Sequence, residues 1–231
     1  MRFSRRAALL GPLAAALIGA TPRRRRPAGP PPPPAPLGDS EYVELTTELG
    51  RIVVMVDVRH APVTAANFIR YVDARRFDGI VFYRAMRLAW GTPPNGLVQA
   101  GIQNDPKRLY PPIAHEPTNV TGILHKAGTL SMARYAPGTA TGDFSIMMSD
   151  QPGLDADPSS SDPDRQAGYA AFGQVMVGMD VVKAIFDAPV SPTKGEGGMR
   201  GQLLEKPVKI LAARRVVPPP TPPAPTRSAI P

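Results

Sequence analysis

Gly79-Ile80-Val81-Phe82-Tyr83-Arg84, answered by Gly96-Leu97-Val98-Gln99-Ala100-Gly101, is the stretch around which the chain is organised. The first run opens on glycine, is apolar through its middle and ends in an aromatic pair and an arginine. It reads as a strand whose last side chain emerges at the rim of a core. The second is a short apolar return strand with one glutamine. Ala85 to Asn95 between them reads as a loop, carrying the only tryptophan, Trp90, and the pair Pro93-Pro94. Two strands that deliver one guanidinium and one amide side by side predict a small polar site on an apolar floor.

Upstream, Glu41 to Thr46 and Arg51 to Val56 alternate in strand fashion, and the short Thr47-Glu48-Leu49-Gly50 link makes them a hairpin. His60-Ala61-Pro62-Val63-Thr64 stops the second strand, with Thr64 as the predicted helix N-cap. Ala65, Phe68, Ile69 and Val72 follow at helical spacing, and the helix is expected to end near Arg75-Arg76.

Downstream, residues 103–128 read as loop with one short turn. Strands are expected at Gly128 to Ala133, Phe144 to Met148, Tyr169 to Val175 and Val208 to Ala212. Asp180 is the predicted cap of a second helix with Val181, Val182 and Ile185 on one face. Seven or eight short strands and two helices predict a mainly β fold, an antiparallel sandwich or barrel capped by the helices.

The 30 prolines crowd the ends, seven in residues 27–36 and seven in residues 218–231. The expected organisation is residues 1–20 as a signal peptide or N-terminal anchor, 21–38 as an arginine- and proline-rich linker, 39–217 as the folded domain and 218–231 as a proline-rich tail. The formal charge of +8 suggests a polyanion, but seven arginines and no acid lie in residues 1–36. The near-neutral body that remains excludes nucleic acid as its expected partner.

Met1-Arg2-Phe3-Ser4-Arg5-Arg6 followed by the short apolar run Ala7 to Ala20 has the make-up of an export signal, and Ser4-Arg5-Arg6 resembles the twin-arginine type. Cleaved, it leaves a periplasmic protein; retained, it sets Arg23 to Arg26 at a membrane surface. A monomer is expected in either case.

Other chemistries find little support. His60, His115 and His125 lack metal-ligand spacing, and there is no cysteine to help. The acids Asp150, Asp155, Asp157, Asp162 and Asp164 lack the glycine and terminal glutamate of an EF-hand loop. Gly195-Glu196-Gly197-Gly198 does not join a strand to a helix as a phosphate loop does. No glycine elbow surrounds Ser131 or Ser145, so a serine nucleophile is not expected.

Six segments in order resemble the cyclophilin family of peptidyl-prolyl isomerases. They are Thr47 to Val53, Ala61-Pro62-Val63-Thr64-Ala65-Ala66-Asn67-Phe68, Phe82-Tyr83-Arg84, Leu97-Val98-Gln99-Ala100-Gly101, Gly128-Thr129-Leu130-Ser131-Met132-Ala133, and Phe172-Gly173-Gln174-Val175 with Gly178-Met179-Asp180-Val181-Val182. The resemblance runs from Glu41 to about Ala213. It implies a closed eight-stranded antiparallel barrel capped by two helices, acting on proline-containing polypeptides without cofactor or metal. It further implies Arg84 and Gln99 as the catalytic pair, and Tyr83, Leu97, Ala133, Asp143, Tyr169 and Phe172 as substrate-binding residues. The chain departs from the family pattern at Gly96 and Ser145, which replace pocket phenylalanines. Asp143 stands for a glutamine, Tyr169 for a histidine, and no tryptophan lies near Asp164.

The implied reaction is rotation about an X–Pro bond, against a barrier of about 18–20 kcal/mol set by amide conjugation. Twisting makes the imide nitrogen pyramidal and turns its lone pair into an acceptor. A fixed cationic donor aimed at that nitrogen acts only in the twisted state, which is differential binding. Arginine, always charged and multi-donor, suits the task. The rival expectation is a module that holds proline segments without turnover, since the aromatic floor is depleted.

Overall fold

The computed structural model describes residues 36–89 and 95–220. The export segment, most of the linker, Trp90 with Pro93-Pro94, and the tail beyond residue 220 lie outside the described residues. Eight strands form one closed antiparallel barrel: β1 (Ser40–Thr47), β2 (Gly50–Asp57), β3 (Val81–Arg87), β4 (Gly96–Gly101), β5 (Thr129–Met132), β6 (Phe144–Met147), β7 (Ala171–Val177) and β8 (Leu203–Val216). Their order around the barrel is β1-β2-β7-β5-β6-β4-β3-β8. The period-two alternation read from the sequence is the alternation between inside and outside. Val43, Leu45, Ile52, Val54, Phe82, Val98, Leu130, Phe144, Ile146 and Ile210 are completely buried.

Two helices close the barrel from opposite ends of β2. Helix α1 (Pro62–Asp73) follows the end of β2 and packs on β2, β7 and β8. Its Phe68 sits among Phe77, Phe144 and Phe172, with ring centroids 5.1–5.2 Å apart. Helix α4 (Met179–Asp187) packs on β2, β3 and β4 through Val182, Ile185 and Phe186. Its Val181 lies against Gly50 at the start of β2. Two short helices, α2 (Thr118–Thr121) and α3 (Pro163–Ala167), punctuate the long connections.

The structure revises the predicted helix starts. Helix α1 begins at Pro62, after Ala61, so Thr64 lies within its first turn instead of capping it. Its free N–H groups are met from a distance by Glu116. That carboxylate accepts from Val63 N at 3.0 Å, Thr64 N at 2.7 Å and Thr64 Oγ1 at 2.6 Å. An anion there also complements the helix dipole. Replacing Glu116 with alanine should cost about 1–2 kcal/mol, read as a lower urea midpoint at unchanged slope. Helix α1 ends at Asp73, short of Arg75-Arg76, and Arg75 turns the chain with φ 56°. Helix α4 is entered through Gly178 in left-handed conformation, leaving Asp180 in the first turn and not at the cap. Strand β3 extends to Arg87 into the predicted loop, and β8 is far longer than the five residues expected.

Candidate active site

Strands β3, β4, β6 and β5 are successive neighbours in the barrel, so side chains at matched registers line up across its outer face. Arg84 pairs with Gln99, Gln99 with Ser145, and Ser145 with Ser131, giving one polar row. Two residues along each strand, Met86 pairs with Leu97 and Leu97 with Met147, giving a parallel apolar row. The floor read from the sequence is thus two adjacent rows, fixed by strand register.

A β-bulge at Tyr83 shapes the rim. Phe82 pairs with Ala100 and Arg84 with Gln99, so Tyr83 is the extra residue. Phe82 points into the core, while Tyr83 and Arg84 both reach the outer face. A cavity of about 590 Å³ lies over the two rows, bounded further by Leu154 and Tyr169. A smaller one, about 250 Å³, lies over Tyr83 and Asp143. Gln99 and Ala133 line both.

Arg84 is held in one pose. Its Nη1 donates to Gln99 Oε1 at 2.9 Å and its Nε to Gln202 Oε1 at 2.8 Å. Gln202 reaches it because Ala85 N donates to Gln202 O at 2.9 Å where β8 begins. Among the described residues Nη2 has no partner. Burial lowers the pKa of Arg84 from its ordinary value, yet a guanidinium stays charged at neutral pH. A charge partly stripped of water and lacking a carboxylate partner is available to an acceptor that enters the cavity.

Asp143 sits deeper at the rim. Its Oδ2 accepts from Tyr83 OH at 3.0 Å and its Oδ1 from Gln103 N at 2.9 Å. Burial raises its carboxyl above the usual range, and those hydrogen bonds oppose the shift. Burial, with Asp143 nearby, raises the phenol of Tyr83 as well. The Asp143 carboxylate occupies the space a Cβ on Gly101 would fill, 2.0 Å from Oδ1.

The structure brings Arg84, Gln99, Leu97, Ala133 and Tyr169 around the larger cavity and Tyr83 and Asp143 around the smaller. Tyr169 is stacked under Arg134, whose Cζ lies 4.5 Å from the ring centroid. Phe172 needs correction. It is completely buried and packs on Phe68 inside the barrel, because its position in β7 is an inward one, so its ring is core and not substrate wall. Met86, Met147, Leu154 and Gln202 are additions to the expected set. The two methionines could have been found by counting two residues from Arg84 and from Ser145. Leu154 and Gln202 come from loop connections and carry no local signal.

The departure at Gly96 has a backbone cause. Its φ is 148°, and a Cβ there would lie 1.9 Å from Met86 O and 3.0 Å from Phe186 Cε2. No side chain fits, so the cavity wall comes from Met86, Leu97 and Met147. Methionines give an apolar floor that adapts to shape.

Comparison with known proteins agrees with the fold. Residues 42–214 match the family model for cyclophilin-type peptidyl-prolyl cis-trans isomerases. A peptidyl-prolyl cis-trans isomerase of Acinetobacter baylyi is 36% identical over 176 residues, covering 74% of this chain and 84% of the relative. Peptidyl-prolyl cis-trans isomerase A of Dickeya dadantii is 35% identical over 150 residues, covering 63% and 71%. The crystal structure of a Cryptosporidium parvum cyclophilin-type isomerase, determined in the presence of the dipeptide Ala-Pro, shares the fold with a TM-score of 0.55. It is 15% identical and covers 76% of this chain and 99% of its own.

Proposed function

The chain belongs to the cyclophilin-type peptidyl-prolyl cis-trans isomerase family, and from that premise we propose that Arg84 carries its catalysis. It is a peptidyl-prolyl isomerase of cyclophilin type. The proline ring lies on the Met86–Leu97–Met147 row, and the bond to be rotated lies over the polar row. As the amide twists, its nitrogen lone pair accepts from the guanidinium, whose Nη2 carries no protein partner among the described residues. Gln99 and Gln202 clamp the other two nitrogens. The donor therefore does not have to be reoriented as the bond turns, and the hydrogen bond forms only in the twisted state. The observation that carries this reading is the two-point clamp of Arg84 beside an apolar row.

The clamp has a direct test. Gln202→Ala should lower kcat for a short X–Pro peptide about tenfold while changing peptide affinity little, since a positioning contact worth about 1.4 kcal/mol has been removed. Unchanged kcat would separate Gln202 from the mechanism.

Proline-containing segments of exported proteins are the proposed substrates. The support is the basic-apolar segment Met1 to Ala20. Whether it is cleaved or kept as an anchor is read from the mass of the mature protein.

A further inference from the structure

Ser131 ends a hydrogen-bonded series that prolyl rotation leaves unused. His125, only 1% exposed, lies between Asp155 and Ser131. Its Nδ1 is 2.7 Å from Asp155 Oδ1, and its Nε2 is 2.8 Å from Ser131 Oγ. A carboxylate only accepts, so Nδ1 carries the ring proton. Nε2 is then bare, and the Ser131 hydroxyl donates to it. Asp155 is fixed in turn, because its Oδ1 also accepts from His125 N at 3.0 Å. Burial lowers the pKa of His125 and outweighs the opposing pull of Asp155, which leaves the imidazole neutral.

The hydroxyl is within reach of a ligand. Ser131 lines the cavity of about 590 Å³ beside Arg84. Ser131 itself is only 3% exposed, and its cross-strand partner is Ser145, whose small side chain lines the same cavity. Ser145 is 7% exposed, and its hydroxyl has no hydrogen-bond partner among the described residues. A directly opposed residue in an antiparallel pair lies about 5 Å away. Ser145 can therefore donate to an oxygen that becomes negative next to Ser131.

We propose that Ser131 is a nucleophile, with His125 as its general base, toward small activated esters that enter this cavity. The Ser131 oxygen attacks the ester carbon while its proton passes to His125 Nε2. The tetrahedral oxyanion is met by the Ser145 hydroxyl. Collapse breaks the bond to the leaving alcohol or phenol, which takes the proton from His125. The acyl group remains on Ser131 until water, deprotonated by the same imidazole, releases it as the acid. Asp155 holds the ring in the tautomer that this requires. The sequence hides the arrangement, because its order is His, Ser, Asp without a glycine elbow. The loops on either side of β5 and β6 bring the three together. This activity does not depend on the role of Arg84.

The test uses the full chain and an alkyl fluorophosphonate, in which attack by the serine expels fluoride and leaves a stable phosphonyl ester. One adduct per chain on Ser131, mapped by peptide mass spectrometry and absent from Ser131→Ala, is the expected result. His125→Gln, checked for native circular dichroism, should form the adduct about a hundredfold more slowly. An unmodified wild-type protein, an adduct elsewhere, or equal labelling of Ser131→Ala overturns the proposal. The wild-type arm needs no substitution, so a poorly folding variant cannot decide the matter. Prolyl isomerisation measured on the same sample stands apart: rotation without an adduct removes the nucleophile and leaves the isomerase intact.

Discussion

Replacing Arg84 with alanine is expected to lower kcat/KM for X–Pro isomerisation by about 100- to 1,000-fold, the usual cost of deleting one aimed donor from a preorganised site. The loss should fall on kcat. The apolar row of Met86, Leu97 and Met147 that receives the ring is untouched by the substitution. Lysine should restore little. It keeps the charge, but it cannot donate to Gln99 and Gln202 in the plane of the guanidinium and present a third nitrogen as well. A protease-coupled assay on a short proline peptide gives both constants. A loss confined to KM would make Arg84 a binding residue only.

The second large effect is on stability. Gly96→Ala should destabilise the fold by about 4 kcal/mol or more, at the extreme of single substitutions. Two costs coincide there. The backbone φ of 148° is one that side chains rarely adopt, and the new Cβ meets a backbone carbonyl oxygen, Met86 O, at 1.9 Å. Neither strand can yield cheaply, because β3 and β4 are paired on both sides within a closed barrel. Gly96→Phe, which would return an aromatic to the position, should fail to fold for the same reason. Denaturant unfolding measures the alanine variant; a loss under 1 kcal/mol would mean that the strand pair relaxes more freely than its geometry implies. The missing aromatic at position 96 is thus a consequence of backbone packing at this point, and Met86, Leu97 and Met147 form the wall there; nothing in the structure explains Ser145.

Period-two alternation made much of this legible from the residues. Glu41 to Val56 alternates cleanly because one face of that hairpin is core, and the hairpin stands where the alternation put it. Arg84 and Gln99 could be set side by side because both lie on short runs joined by one connection. What alternation does not carry is which strands become neighbours around the barrel. Ser145 and Met147 enter the site only because β6 pairs with β4, a relation between segments more than 40 residues apart. Phe172 was misassigned for a related reason. A conspicuous aromatic in a motif says nothing of whether its position in the strand faces in or out until the register of β7 is known. The helix starts were missed because the groups that satisfy them are a distant carboxylate, Glu116, and a left-handed glycine, Gly178. Gln202 and the His125–Asp155 pair depend on loop closure and have no periodic signature at all.

Two-dimensional exchange spectroscopy on an X–Pro peptide tests directly whether Arg84 acts on the twisting bond. Wild type and Arg84→Ala are compared at equal, near-complete saturation with peptide. Cis–trans exchange peaks are expected with wild type, and bound-state shifts without such peaks for the variant, since the guanidinium acts on the twisted amide and not on the ground state. Exchange peaks of equal intensity in both would contradict that role.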